Sequence, residues 1–246
     1  MLKIIIPRNN LNERMYVIDY VFNEILRLTY ELEFSDSLSY YRIIYRSKEI
    51  HIKDEFFGEF PDDLSYLSVS NLPVNITWAY HHHCERDLPV LFGKYEISQK
   101  ADVISYGVDL IASIFFMLTR WEEYALVSRD RLNRFEGKNS IAVKEGFIHI
   151  PVVNCWIECI QSLLRGISLE TNVDRVFRSI PTVDVDDLRL GDLAFQRMIR
   201  LGLADLIMRR DVSLFIRSFL EYLWVKLKII KDPFFILEDM INDFVR

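Results

Sequence analysis

An alternation of apolar patterns near the start of the chain constrains its fold most strongly. Residues 2–6 are apolar except for Lys3 and alternate little, which predicts a buried strand. Residues 11–28 then repeat apolar side chains at helical spacing. Three short strand-like runs follow, at residues 30–34, 41–45 and 49–52. A strand, a helix and further strands in this order predict an α/β unit.

The later part of the chain continues this mixture of strands and helices. Residues 102–124 have an apolar middle and predict a long helix. Residues 178–186 predict a strand that ends in an acidic cluster. We place a domain boundary near residue 177, just before this predicted strand. The sequence therefore predicts two domains, residues 1–177 and 178–246.

Composition limits the environment and the partners of the chain. Half of the 246 residues are hydrophobic, and the formal net charge is −6, so a broad nucleic-acid groove is not expected. The longest uncharged apolar runs, such as residues 110–118, are far shorter than the ~20 residues of a transmembrane segment. We expect no secretory signal peptide at the start of the chain. With three cysteines and no disulfide framework, we expect a cytoplasmic protein.

Three carboxylates lie within four residues in the sequence PTVDVDDLRL, residues 181–190. Asp184 and Asp186 would point to the same side of a strand, because strand side chains alternate with a period of two. Two carboxylates at the end of a strand suit a metal ligand and a base that deprotonates a metal-bound water. The alternative is a loop in which an aspartate caps the helix that follows.

The sequence Thr-Val-Asp-Val-Asp at residues 182–186 resembles the first motif of the polysaccharide deacetylase (NodB-homology) family. Upstream, residues 88–93 and 109–124 resemble the uncharacterised N-terminal domain that precedes the deacetylase in a bacterial subgroup. The resemblance implies that Asp184 is the catalytic base and Asp186 a metal ligand. It also implies a fold in which an α/β accessory domain is followed by the first strand and inserted helices of an incomplete (β/α) barrel.

In complete relatives, the resemblance implies metal-dependent hydrolysis of N-acetyl groups on an amino-sugar polysaccharide, with zinc or a similar divalent metal. That family completes its metal site with a His-x-x-x-His pair after the first motif. All five histidines of this chain precede Asp184. We therefore expect a chain that ends early in the deacetylase domain. Such a chain should bind no metal tightly and should be inactive alone. Whether the chain is an enzyme therefore stays open.

Two other stretches favour a non-catalytic module that binds a glycan or a protein. Trp121, in the sequence RWEEY, is interpreted as a sugar-stacking residue, and Arg134 lies in a basic stretch that suits an anionic glycan or phosphate. The alternatives are a helix end held by an aromatic residue and a solvated loop. The apolar stripe of residues 214–230 predicts packing, or self-association through the C-terminal helices.

Overall fold

The computed structural model describes residues 1–82, 85–171, 180, 182, 195–204, 206–207 and 212–232. The chain divides into two compact units, Met1–Arg175 and Val176–Arg246. The α/β class predicted from the sequence is confirmed, because a six-stranded sheet is combined with helices. That sheet is open and is not closed into a barrel. The strand predicted at residues 178–186, which would begin the barrel, lies outside the described residues.

The first unit is built on a mixed sheet of strand order β2-β1-β3-β4-β8-β7. The pairs β1–β2 and β4–β8 are parallel, whereas the other neighbours are antiparallel. Strands β5 and β6 form a separate antiparallel pair. The strands are β1 (Leu2–Pro7), β2 (Tyr30–Ser35), β3 (Tyr40–Tyr45), β4 (Lys48–Lys53), β5 (Thr77–His81), β6 (Arg86–Val90), β7 (Gly93–Lys100) and β8 (Val103–Val108).

The described residues also form seven α-helices. In the first unit they are α1 (Leu11–Ile18), which continues as a π-helix at Asp19–Ile25, α2 (Leu110–Thr119), α3 (Glu122–Ala125), α4 (Ile141–Lys144) and α5 (Val152–Gly166). In the second unit they are α6 (Phe195–Ala204) and α7 (Val212–Lys226). Among the described residues, no helix combines the length and apolarity needed to cross a bilayer.

One face of the sheet is covered by helices. Ile4, Ile43, Ile50 and Ile104 are direct neighbours on four adjacent strands, and each is buried. Helix α2 packs against both α1 and α5, and its residues from Leu110 to Phe116 are all buried. This burial accounts for the apolar composition of α2, because a helix surrounded on all sides has no polar face.

The opposite face of the sheet carries charged side chains in cross-strand pairs. Arg42 donates to both carboxylate oxygens of Glu49, at 2.8 and 2.5 Å, and His51 contacts Glu49 at 2.9 Å. These contacts lower the pKa of Glu49 to about 2, and the hydrogen bond from Arg42 has the largest effect. The Tyr40 ring packs on His51 with centroids 4.3 Å apart. This face is polar because solvent reaches it, as its intermediate burial indicates.

The helix predicted over residues 102–124 is wrong at its start. Val103–Val108 forms strand β8, and helix α2 begins only at Leu110. Strand β8 pairs with β4 on one side and with β7 on the other. These partners are distant in the sequence, so the apolar run alone could not distinguish a buried strand from the beginning of a helix.

A buried arginine connects the helical layer to the sheet. Arg14 of α1 is fully buried, and its Nε donates to the Asn9 carbonyl at 2.7 Å. Its Nη2 donates to Asn9 Oδ1 at 2.8 Å and to Asp54 Oδ2 at 2.9 Å. Its Nη1 donates to the Tyr41 hydroxyl. One guanidinium therefore joins the exit of β1, strand β3 and the exit of β4.

Removal of the Arg14 guanidinium is expected to destabilise the protein strongly. The substitution Arg14→Met keeps an unbranched side chain but leaves the buried Asp54 carboxylate without its donor, which costs about 3–5 kcal/mol. Arg134→Met removes a surface ion pair with Asp130 and should change the free energy of unfolding very little, because solvent screens such pairs. Urea unfolding measures both. An equal, small loss for the two variants would contradict the importance of this network.

Candidate functional site

A cleft of about 570 Å³ opens where strands β1, β2 and β4 end. We call it the carboxyl-edge cleft. In open α/β sheets, ligands bind beyond the carboxyl ends of the strands, because the loops there bring polar groups together. Its polar wall is formed by Arg8, Asn9, Ser35, Asp36, Ser39, Lys53, Asp54, Glu55 and Glu59.

Asp54 is the most deeply buried acid of this cleft, with a side chain only 1% exposed. Its Oδ2 accepts from Arg14, whereas its Oδ1 has no hydrogen-bond partner among the described residues. Gly58 lies beside this carboxylate, and a Cβ at that position would stand 3.1 Å from Asp54 Oδ2. Asp54, a residue of the cleft wall, therefore has a buried acceptor that no described residue satisfies.

Asp109 links the same region to helix α2. Its Oδ1 accepts from the Ala112 amide at 2.9 Å and caps the helix, and its Oδ2 accepts from the amides of Glu55 and Phe56 at 2.9 and 3.1 Å. Complete burial, followed by the charge of Asp54, raises the pKa of Asp109 to about 7. Asp109 therefore holds the cleft wall against α2 and is a strongly perturbed acid.

A second cleft, of about 500 Å³, lies at the carboxyl end of α2. We call it the aromatic cleft, and it is lined by Tyr66, Leu67, Phe115, Thr119, Arg120, Trp121, Glu123 and Tyr124. Arg120 ends α2 in the left-handed conformation, with a φ of 52°. The resulting turn places α3 so that the Tyr124 ring is 71% exposed beside the cleft.

Trp121 is buried, with only 4% of its surface exposed. Its ring stacks on Phe56 at 6.1 Å between centroids and meets the edges of Phe116 and Tyr66 at 5.3 and 6.1 Å. This packing favours the interpretation of Trp121 as the aromatic residue that holds the helix end. The indole Nε1 nevertheless has no hydrogen-bond partner among the described residues, and the residue lines the aromatic cleft. Its sugar-binding role stays a prediction.

Arg134 lies in an exposed loop and pairs with Asp130 at 2.9 Å. Lys138, in the same basic stretch, pairs with Glu136 at 3.0 Å. The loop is held against α3 by Arg129, which donates to the carbonyls of Glu123 and Leu126. Nearby acids therefore compensate the basic charges, which favours the solvated-loop interpretation. Binding of an anionic ligand by Arg134 remains a prediction.

The structure also shows a residue that sequence reasoning missed. Tyr124 is the exposed aromatic side chain of the RWEEY segment, whereas Trp121 is the buried one. Helical spacing gives no signal for this difference, because residues three apart are neighbours on one face of a helix. The predicted metal site cannot be compared in the same way, since Asp184 and Asp186 lie outside the described residues.

Metal-ligating residues do not cluster in the described part of the chain, where no group of three His, Cys, Asp or Glu could hold an ion. His81 is buried in strand β5, and its Nδ1 contacts the Tyr106 hydroxyl at 2.6 Å. Cys155 and Cys159 are buried on α5, and neither forms a disulfide with a described residue.

Comparison with known proteins gives one match. A family profile described as "Family of unknown function (DUF7033)" matches residues 2–168. No curated protein and no solved structure matches this chain. The identification as a polysaccharide deacetylase family member is therefore wrong. The region that carried most of the resemblance belongs to a family without a known activity, and a five-residue acidic motif is too short to identify a family by itself.

The raised pKa of Asp109 predicts that stability falls as the pH rises from about 4 to about 7. In this range the folded chain keeps the Asp109 proton while the unfolded chain, with the ordinary pKa of 3.8, has released it. The free energy of unfolding should therefore decrease relative to that of Asp109→Asn, which has no proton to lose. Urea unfolding across this range measures the difference.

Asp130→Asn is the control for that experiment, because Asp130 is exposed and its pKa is lowered rather than raised. Its difference from the parent protein should not follow the same trend between pH values of about 4 and 7. If the free energies of unfolding of the parent and Asp109→Asn differ by a constant amount across this range, the assignment of the raised pKa to Asp109 is contradicted.

Proposed function

This chain belongs to the family of unknown function DUF7033, and from that premise we propose that it is a non-catalytic module that binds a neutral glycan in the aromatic cleft. One observation carries the proposal. Tyr124, which is exposed, and Trp121 line the same cleft of about 500 Å³, and the buried indole N–H of Trp121 has no partner among the described residues. This volume is within the range of small-ligand sites.

The Tyr124 ring supplies an apolar surface for the C–H face of a sugar. Because the ring is 71% exposed, burying it under a ligand removes apolar surface from water. Its hydroxyl can stay in solvent at the same time, since tyrosine combines an apolar body with a polar tip. A pyranose, which has one apolar face and hydroxyls around its edge, matches this arrangement.

The Trp121 indole would orient the bound sugar through a hydrogen bond. An indole Nε1–H is a donor only, and a buried donor without a partner costs free energy. A hydroxyl, ring or amide oxygen of a sugar would accept this hydrogen bond. The Thr119 hydroxyl, which donates to the Phe115 carbonyl at 2.7 Å, also lines the cleft and can still accept a hydrogen bond.

The charges around the cleft favour a neutral glycan over an anionic one. Arg120 forms an ion pair with Glu123 within the cleft wall. Two basic side chains of the adjoining loop are paired with acids as well, Arg134 with Asp130 and Lys138 with Glu136. An anionic sugar would have to break such pairs, whereas sugar hydroxyls can bond to both members of each pair.

Binding of neutral oligosaccharides should depend on both ring systems. Using cellohexaose and chitohexaose in calorimetry, we expect dissociation constants of roughly 10 μM to 1 mM for at least one of the two. Tyr124→Ala should weaken binding by about tenfold, because it removes the stacking surface. Trp121→Phe keeps the packing but loses the N–H, and it should weaken binding by about fivefold.

Tyr80→Ala is the matched control for this experiment, because Tyr80 is a 47% exposed tyrosine on β5, outside the cleft. Binding should be unchanged in that variant and in the presence of EDTA, since the proposal involves no tightly bound metal. Absence of binding to both sugars, or equal binding by Tyr124→Ala and the parent protein, would refute the proposed function.

A second proposal concerns self-association through the C-terminal helices. Helix α7 exposes Val212, Ile216, Leu220 and Trp224, which are spaced four residues apart along one side of the helix. An exposed apolar stripe of this kind suits a helix–helix contact between copies. We also propose a cytoplasmic location, which is supported because Cys155 and Cys159 form no disulfide with a described residue.

Sedimentation velocity tests the proposal of self-association. The parent chain should show a concentration-dependent dimer, and Ile216→Glu should shift it to monomer because a charge in an apolar contact costs several-fold in affinity. Glu221→Gln, which changes an exposed residue paired with Arg217, is the control. A parent chain that stays monomeric at all concentrations would contradict this proposal.

A further inference from the structure

We infer that the carboxyl-edge cleft is a second binding site, which takes a primary ammonium group. The inference is independent of the glycan proposal, because it rests on different residues. The central observation is that Asp54 Oδ1 has no hydrogen-bond partner among the described residues, although the side chain is only 1% exposed and the residue lines the cleft.

The missing partner has to be a donor, since a carboxylate oxygen accepts only. Arg14 satisfies Oδ2 but also bonds to Asn9 and Tyr41. Asn9, which lines the cleft too, cannot help because its amide donates to the carbonyls of Phe57 and Phe60 at 2.6 and 3.0 Å. The neighbouring side chains are thus committed, and a ligand is left to supply the donor.

The charge of the wall favours a cationic donor. The wall contains four acids and two bases, and the bases are paired with two of those acids: Arg8 with Asp36 at 2.9 Å and Lys53 with Glu55 at 3.5 Å. Glu59 is exposed in the same wall, and no cation is found within ion-pair distance of it in the described part of the chain. Its charge therefore remains available to a ligand.

An ammonium group fits this site better than a metal ion does. No three His, Cys, Asp or Glu side chains of the described ranges come together to hold a metal. An ammonium group has three N–H donors and needs only separate acceptors. Asp54 Oδ1, the Glu59 carboxylate and the hydroxyls of Ser35 and Ser39 are acceptors of this kind in the cleft wall.

Gly58 makes the site testable without removal of a buried charge. A Cβ at position 58 would stand 3.1 Å from Asp54 Oδ2, so Gly58→Ala should displace the carboxylate slightly. Gly58 does not have a positive φ, so alanine is compatible with its backbone. Asp54→Asn is less useful, because it also removes the buried partner of Arg14.

The experiment is an NMR titration of the ¹⁵N-labelled full chain with ethanolamine, its neutral counterpart ethylene glycol, and choline, which has the charge but no N–H. Ethanolamine should bind with a dissociation constant of roughly 1–10 mM. Both other compounds should bind at least about fivefold more weakly. Nα-acetyl-lysine amide distinguishes the source, because tighter binding than ethanolamine would indicate a lysine side chain as the natural ligand and weaker binding a free small amine.

Variants then assign the ammonium site. Glu59→Gln and Gly58→Ala should each weaken ethanolamine binding by about fivefold. Glu136→Gln, which removes a half-buried acid outside the cleft, and Tyr124→Ala should leave it unchanged. Equal binding of choline or ethylene glycol, no shifts up to roughly 50 mM ethanolamine, or undiminished binding in both cleft variants would overturn the inference.

Discussion

The hydrogen-bonded ion pair between Arg14 and Asp54 is the interaction on which the first unit depends. Both side chains are at most 1% exposed, so each would be costly to bury alone. The cost is offset because the guanidinium makes further bonds to Asn9 and Tyr41 and lies between the rings of Tyr41 and Phe57, at 5.1 and 5.2 Å from their centroids. The pair thereby fixes α1 on the sheet and holds Asp54 where the carboxyl-edge cleft opens.

The segment that follows β4, residues 54–56, connects the carboxyl-edge cleft to the aromatic cleft. Asp109 accepts from the amides of Glu55 and Phe56, which positions them against the start of α2. Phe56 then stacks on Trp121 in the aromatic cleft. The two clefts thus lie at opposite ends of one packed segment, and each is shaped by side chains whose other contacts are buried. Rigid support of this kind is what a binding site needs, because less conformational entropy is lost when a ligand binds.

Much of the fold could be predicted from local patterns, whereas the clefts could not. The strands at Leu2–Pro7, Tyr30–Ser35 and Tyr40–Tyr45 agree closely with those predicted at residues 2–6, 30–34 and 41–45. Strand β8 was mistaken for helix because its pairing partners are distant in sequence. Nothing in the pattern around Arg14 marks it as buried, since arginine in a helix is usually exposed and only its partners make burial tolerable. The family resemblance failed for a related reason, because a short motif carries little information outside its structural context.

The sequence by itself determined the α/β class and the approximate positions of several elements, because periodicity and turn residues act over a few neighbouring positions. The tertiary structure alone decided that Trp121 is enclosed and Tyr124 exposed, that Arg134 is paired with Asp130, and that Asp54 has an oxygen without a partner among the described residues. Each of these properties depends on which distant segment packs against the residue, and burial and electrostatic pairing are set by neighbours in space.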